Sequence, residues 1–224
     1  QIGSICMGIG GSIMDPDFIE EYLGMRVESV DEVEIIRRMT EGIYDEEEYQ
    51  KALKWTKEKC KEGYDKNPDF IQKTREQKDA DWEFTVKMMC IIKDLMNGNE
   101  NLPKGCEEEM VGHNALAAGF QGQRQWTDFY PNCDFPEALL NTTFDWNGAR
   151  EPYILATEND ILNGLGMMFM KLLTGRADVR RCSYLLERRR SEESYRLRSG
   201  RQGKRGRRLY PSDQLRRMLS GRLR

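Results

Sequence analysis

The sequence contains a single histidine, His113, which argues against a multi-histidine metal site and a histidine-triad hydrolase. Its six cysteines are scattered and form no C-x-x-C pair. This spacing argues against a disulfide framework and a thiolate zinc site, and it favours reduced cytoplasmic thiols. No apolar run approaches the roughly 18 residues of a membrane span, and no secretory signal is visible. We therefore expect a cytoplasmic protein without a membrane partner, and Gln1 in place of Met indicates a fragment.

Charge is distributed very unevenly along the chain. Residues 1–175 carry 18 basic and 33 acidic residues, for a net charge of -15. Residues 176–224 carry 17 basic and 5 acidic residues, for a net charge of +12, and have few apolar residues. The sequence therefore predicts a folded acidic domain over 1–175 and a disordered basic tail over 176–224. A tail of this charge could also bind nucleic acid by neutralising phosphates, and this is the alternative interpretation.

Short apolar runs alternate with amphipathic helical patterns in the acidic domain. Predicted strands cover residues 2–7, 27–30 and 152–156. Four predicted helices begin at capping side chains, which are Asp15, Asp31, Asp45 and Thr74. A further helix is predicted over 161–173. This order predicts an α/β fold, a three-layer domain with a mainly parallel sheet.

The Gly8-Ile9-Gly10-Gly11 run follows the first predicted strand and precedes a helix, where backbone amides can hold a phosphate. This favours, as the runner-up function, an α/β nucleotide-binding protein. The run lacks the third glycine of G-x-G-x-x-G and the Lys of a P-loop, so a tight turn is the preferred interpretation. A lone loop histidine such as His113 is likewise more often exposed or structural than a ligand.

Two polar segments carry the candidate chemistry. Residues 119–128 contain three Gln, an Arg and a Trp, whose N–H groups and amide oxygens suit a polyhydroxylated substrate, although a polar surface loop explains them equally well. Glu158, Asn159 and Asp160 follow a predicted strand, where α/β sheets bind ligands. Glu158 or Asp160 could ligate a divalent metal. The alternative is that Asp160 or Asn159 caps the next helix, which explains Glu158 less well.

Several segments together closely resemble the L-fucose isomerase family over residues 1–175. They are the turn at 2–11, G-F-Q-G-Q-R-Q-W-T-D at 119–128, F-D-W-N-G-A-R-E-P at 144–152 and A-T-E-N-D-x-L-N-G at 156–164. The resemblance implies the second α/β domain of a hexameric, Mn²⁺-dependent aldose–ketose isomerase that acts on L-fucose and often on D-arabinose.

The resemblance also implies roles for particular residues. Glu158 matches the family's metal-binding and catalytic glutamate, and Gln121 matches a sugar contact. Arg124 and Trp126 are expected to contact the substrate beside it. Moving the carbonyl from carbon 1 to carbon 2 requires a proton to pass through an enediol, and a metal that polarises both sugar oxygens stabilises the developing charge.

The tail departs from the family. The family's metal Asp lies in F-A-D-V-R-T-Y-W-S, and its metal His lies in G-F-I-H-L-I-N-S-G. Here Asp178 stands in Ala-Asp-Val-Arg at a shorter spacing from Glu158, and the histidine motif is missing. The chain as written therefore keeps one of three metal ligands, and we expect it to be inactive.

A shifted reading frame after Gly175 accounts for both departures. Permissible codons for residues 177–187, read one base later, give Q-M-F-A-D-V-R-T-Y-W-S. Permissible codons for residues 208–215, read in the same shifted frame, give G-F-I-H-L-I-N-S-G. On this interpretation the match at Asp178 is a coincidence, and no nucleic-acid partner is expected.

Overall fold

The computed structural model describes residues 1–6, 8–123 and 126–175. The chain divides into two compact units. The first contains residues 1–61 and the described residues from 74 onward, and the described part of the second is Glu62–Lys73, which contains a 3-10 turn at Asp69–Ile71. The predicted disordered tail at 176–224 lies outside the described residues. Within the described ranges, no helix is both long and apolar enough to span a membrane.

The first unit alternates helices with very short strands. The helices are α1 (Pro16–Leu23), α2 (Val33–Glu41), α3 (Glu46–Lys59), α4 (Arg75–Asn97), α5 (Glu107–Val111), α6 (Asp134–Leu140) and α7 (Ile161–Thr174). The strands are β1 (Ala118–Phe120), β2 (Phe144–Asp145), β3 (Gly148–Ala149) and β4 (Leu155–Thr157). A 3-10 turn at Gly10–Ser12 precedes α1. The predicted α/β class is confirmed.

A parallel sheet lies at the centre of the unit. β1 pairs with β4 in parallel, with Ala118 opposite Leu155. Ile2 forms parallel bridges to both Phe120 and Val30, so the lateral order is Val30, Ile2, β1, β4. The predicted strands at 2–7 and 27–30 were too long, since in each segment a single residue, Ile2 or Val30, forms bridges. Gly3 explains the first case, because its φ of 86° turns the chain out of the sheet.

Helices cover both faces of this sheet. Leu155 packs into the larger apolar cluster with Ile2, Phe120 and α4, whereas its neighbours Ile154 and Ala156 pack against Met167 and Met168 of α7. This alternation follows from the two-residue period of a strand. The predicted three-layer arrangement is therefore present in the described residues, and β2 and β3 form a separate antiparallel pair.

Helix starts follow the predicted capping side chains in three of four cases. Asp15 accepts from the amide of Asp17, Asp45 accepts from Glu48, and Thr74 forms a capping box with Gln77. The capping prediction for Asp31 was wrong. Helix α2 begins at Val33, so its N-cap is Glu32, and Asp31 instead accepts through its main-chain oxygen from the amide of Glu34.

Helix α4 carries the centre of the core, because its side chains from Thr85 to Met96 are buried almost all round. The carboxylate of Asp94 lies among them at 1% exposure. Its Oδ1 accepts from Asn99 at 3.0 Å, and its Oδ2 has no hydrogen-bond partner among the described residues. Burial raises the pKa of the Asp94 carboxyl to about 7.

This shift predicts a pH-dependent stability. The folded state holds the Asp94 proton where the unfolded chain has lost it, so the free energy of unfolding falls as the pH rises from about 4 to about 7. Asp94→Asn removes this contribution, and we expect the variant to be more stable than wild type at pH 8 by up to about 4 kcal/mol, since each pKa unit corresponds to about 1.4 kcal/mol. Urea unfolding at several pH values measures the difference. The exposed Asp128→Asn is the control, and an unchanged pH slope in Asp94→Asn would contradict the prediction.

Candidate functional site

The strand order creates a crevice at the carboxyl edge of the sheet. The chain passes from Ile2 outward to Val30 on one side and returns through β1 to β4 on the other. Ile2 and β1 are therefore neighbours in the sheet, and the chain leaves Ile2 toward Val30 but leaves β1 in the opposite direction, toward β4. Open α/β sheets bind ligands at such a point, beyond the carboxyl ends of the strands. The residues that follow the strands here are 3–6, 121–123 and 158–160.

Glu158 lies at this edge, directly after β4. Its Oε2 accepts a hydrogen bond from the Cys6 thiol, with Sγ at 2.8 Å. Burial, together with the hydrogen bond and negative charge of Glu158, raises the pKa of Cys6 to about 12, so the thiol stays protonated and donates. No local pattern pairs Cys6 with Glu158, because Cys6 falls inside the predicted strand 2–7 and Glu158 is 152 residues away.

Glu158 also lines a polar cavity of about 480 Å³. The other lining residues come from the loop after β1 and from the start of α6: Gly122, Gln123, Thr127, Asn132, Cys133, Asp134 and Glu137. Glu137 is 5% exposed, and its Oε2 accepts from the Thr157 hydroxyl at 2.5 Å. Asp134 and Glu137 do not stand out in the sequence, because nothing in a short helical pattern indicates that α6 packs beside β4.

Gln121 connects two strand ends. Its Oε1 accepts from the amide of Ser4 at 2.6 Å and from the Ser4 hydroxyl at 3.2 Å, and its Nε2 donates to the carbonyl of Ile5 at 3.3 Å. The side chain is 5% exposed. The amide thus fixes the loop after Ile2 against the end of β1, and contact with a sugar stays a prediction for this residue.

Trp126 lies in the core, 2% exposed. Its indole N–H donates to the carbonyl of Pro131 at 2.7 Å, and its ring meets Phe120 edge to face with centroids 5.0 Å apart. The bond to Pro131 uses the indole N–H that the sequence motif suggested for a substrate, and the contact with Phe120 packs the ring into the core. The geometry therefore gives Trp126 a packing role. The other expected contact, Arg124, lies outside the described residues.

The remaining candidates take structural positions. The run from Gly8 to Gly11 folds as a turn, with the amide of Cys6 donating to the Ser12 hydroxyl at 3.1 Å and the amide of Ser12 donating to the Ile9 carbonyl. Asp160 caps α7 by accepting from the amide of Asn163 at 2.9 Å. His113 is exposed, with Nδ1 2.7 Å from the Glu28 carboxylate.

The fit to a metal ion is partial. Carboxylate oxygen is a donor that Mn²⁺ prefers, and Glu158 presents one at the edge of the cavity. Yet among residues 1–6, 8–123 and 126–175, no group of three His, Cys, Asp or Glu side chains could hold a metal ion. Asp178 lies outside these ranges. The described part of the chain therefore supplies one expected ligand and not a complete site.

Comparison with known proteins gives a consistent result. Residues 1–175 match the family model described as "L-fucose isomerase, second N-terminal domain". The chain is 65% identical over 183 residues to the L-fucose isomerase of Bacteroides thetaiotaomicron, 67% over 179 residues to that of Phocaeicola vulgatus, and 60% over 185 residues to that of Streptococcus pneumoniae strain D39.

These matches cover 80%, 78% and 80% of the chain, but only 31%, 30% and 32% of the respective relatives. The chain thus spans about a third of their length. The family model ends at residue 175, where the charge changes sign and the expected motifs stop. With its acidic domain matched throughout, the chain belongs to the L-fucose isomerase family.

Proposed function

We propose that residues 1–175 are the second domain of an Mn²⁺-dependent aldose–ketose isomerase that interconverts L-fucose and L-fuculose, and also D-arabinose and D-ribulose. The observation that carries the proposal is the position of Glu158. It stands at the carboxyl edge of the sheet and lines a polar cavity, in a chain of this family.

The isomerisation moves a proton between carbon 2 and carbon 1 through an enediol, and Glu158 is the residue proposed to carry it. A bound Mn²⁺ would polarise the two sugar oxygens. The Cys6 thiol donates to Oε2 and restrains the carboxylate. Gly122 keeps the approach open, because a Cβ there would lie 3.7 Å from Oε1 and a longer side chain would fill the space.

The cavity suits a small polyhydroxylated substrate. Its volume of about 480 Å³ lies within the range of small-molecule sites. Gln123, Thr127 and Asp134 line it with amide, hydroxyl and carboxylate groups, and sugar hydroxyls both donate and accept hydrogen bonds. Gln121 and Arg124 remain proposed sugar contacts on the strength of the resemblance.

A segment swap tests the proposed function. Residues 1–175 would replace the matching segment of the Bacteroides thetaiotaomicron L-fucose isomerase, to which the chain is 65% identical. We expect Mn²⁺-dependent conversion of L-fucose to L-fuculose, measured as ketose formed, because the swapped segment carries Glu158 and its cavity. A swapped enzyme that assembles like its parent but forms no ketose would refute the proposal.

The tail bears on the activity of the chain as written. We propose that residues 176–224 are translated from a shifted frame, and that the 224-residue chain is inactive on its own. The match to the Bacteroides thetaiotaomicron enzyme supports this, because it covers 80% of the chain although the relative is about three times as long as the matched part. Sequencing the gene tests the frame: a base inserted or deleted near codon 175 is expected, and codons that yield neither lost motif in any frame would rule it out.

We also propose that the intact enzyme is a cytoplasmic homohexamer. The outer face of α7 supports burial against further protein, since Phe169, Leu172 and Leu173 are exposed there. The runner-up function, nucleotide binding at Gly8–Gly11, is less well supported, because the amide of Ile9 inside this run already donates to the Cys6 carbonyl.

A further inference from the structure

Glu158 sits in an unusual backbone conformation. Its φ is 56° and that of Asn159 is 52°, so two consecutive residues that are not glycine adopt the left-handed region directly after β4. We call residues 158 and 159 the elbow. Asn tolerates this region better than most residues do, whereas Glu has no such tolerance. A conformation of this kind persists only where surrounding contacts hold it, and it is often associated with function.

The side chain of Asn159 makes the contact that crosses the sheet edge. It is 1% exposed, and its Nδ2 donates to the carbonyl of Ser4 at 2.7 Å. Ser4 follows Ile2 in the crevice and is itself bonded to Gln121. Asn159 therefore ties the end of β4 to the loop after Ile2, passing over β1.

Gly119 of β1 leaves the space that Asn159 occupies. A Cβ on Gly119 of β1 would lie 2.6 Å from the Asn159 Oδ1 and 2.9 Å from its Cα. Only glycine at that position leaves room for the elbow. The Oδ1 atom has no hydrogen-bond partner among the described residues. A buried acceptor without a hydrogen-bond partner lowers the stability of the fold. If packing were the only role of residue 159, an apolar side chain would give a more stable fold than Asn.

A backbone hydrogen bond from the Asp160 amide to the Thr157 carbonyl, at 3.1 Å, closes the elbow into a tight turn, and side-chain contacts act on top of it. Thr157 is held by the Glu137 carboxylate and Asp160 by the amide of Asn163, which anchors the residues on either side. The Cys6 thiol reaches the Glu158 carboxylate but not the backbone. Among the described residues, the bond from Asn159 to Ser4 is the side-chain contact that joins the elbow to the backbone of another segment.

We propose that Asn159 is a positioning residue, which holds Glu158 in the left-handed conformation that presents its carboxylate to the cavity beside Gly122. The inference rests on the proposed function for the role of Glu158, but the conformation it concerns exists without a ligand. Asn159 acts through Glu158 and needs no contact with substrate.

The experiment uses the 224-residue chain, labelled for NMR. A residue with positive φ gives a strong intraresidue amide-to-Hα cross-peak, so Glu158 should show one in wild type without metal. Asn159→Asp keeps the size and the tolerance for positive φ but removes the donor to Ser4. We expect the cross-peak of Glu158 to weaken about threefold as its φ relaxes. Asn159→Gly removes the tether without backbone strain, and we expect the same result should the Asp variant fail to fold.

Mn²⁺ provides the second measurement, because it broadens NMR signals even when it binds weakly. In wild type we expect selective broadening at Gly122. In Asn159→Asp the concentration that gives half-maximal broadening should rise about tenfold. The matched control is Asn114→Asp, since Asn114 also has a positive φ, 46°, but its side chain is exposed.

The two measurements separate the two proposals. A folded Asn159→Asp or Asn159→Gly variant whose Glu158 cross-peak is unchanged would overturn the positioning role. If the cross-peak weakens as expected but Mn²⁺ broadens no wild-type signal near Glu158, the positioning role stands and the proposed metal role of Glu158 fails. Loss of the Glu158 cross-peak in Asn114→Asp would also count against Asn159, since the elbow would then depend on general stability.

Discussion

We expect Glu158→Gln in the segment-swapped isomerase to lower kcat by at least about 100-fold, the contribution of a residue that transfers a proton. The substitution preserves the size of the side chain and its ability to accept from the Cys6 thiol. It removes the negative charge that would hold a metal ion and the basic oxygen that would accept the proton. Steady-state kinetics with L-fucose measures the effect, with Mn²⁺ titrated at each substrate concentration.

The control for this result is Glu151→Gln. Glu151 lies just before β4, and its side chain is 87% exposed, so the substitution changes the same charge away from the cavity. We expect its kcat to stay within about twofold of the parent, as for most exposed substitutions. A Glu158→Gln enzyme with a kcat close to that of Glu151→Gln would contradict the catalytic role.

We expect Trp126→Ala to lower the free energy of unfolding of the chain by about 3–5 kcal/mol, as for truncation of other large buried aromatic side chains. The indole packs against Phe120, Phe84 and Tyr130, and its N–H bond to Pro131 is buried with it. Trp126→Phe keeps most of the apolar contact and loses the hydrogen bond, so we expect a smaller loss of about 1–2 kcal/mol. Urea unfolding followed by circular dichroism measures both.

Phe129→Ala is the matched control, because Phe129 lies in the same turn but is 77% exposed. Its effect should stay within about 0.5 kcal/mol. The experiment tests the packing role alone, and contact with a sugar stays a prediction for Trp126. A Trp126→Ala chain as stable as wild type would refute the packing role.

Local sequence patterns correctly predicted the elements whose ends depend only on residues a few positions away. A capping side chain acts on amides two or three residues away, so Asp15, Asp45 and Thr74 marked their helices correctly. The prediction for Asp31 failed by one residue, which is enough to remove the cap, because the side chain must reach a specific amide. The strand at 2–7 failed because one left-handed glycine, Gly3, ends the pairing at once.

The sequence by itself determined the α/β class, the place where the acidic domain ends, and the position of Glu158 after a strand. Each of these depends on residues close together in the chain. Only the tertiary structure decided that Cys6 donates to Glu158, that Glu137 and Asp134 share its cavity, and that Asn159 reaches Ser4. It also decided that Trp126 is buried. These contacts join residues far apart in sequence, and they exist because the lateral strand order brings the ends of Ile2, β1 and β4 to one edge, which no local pattern encodes.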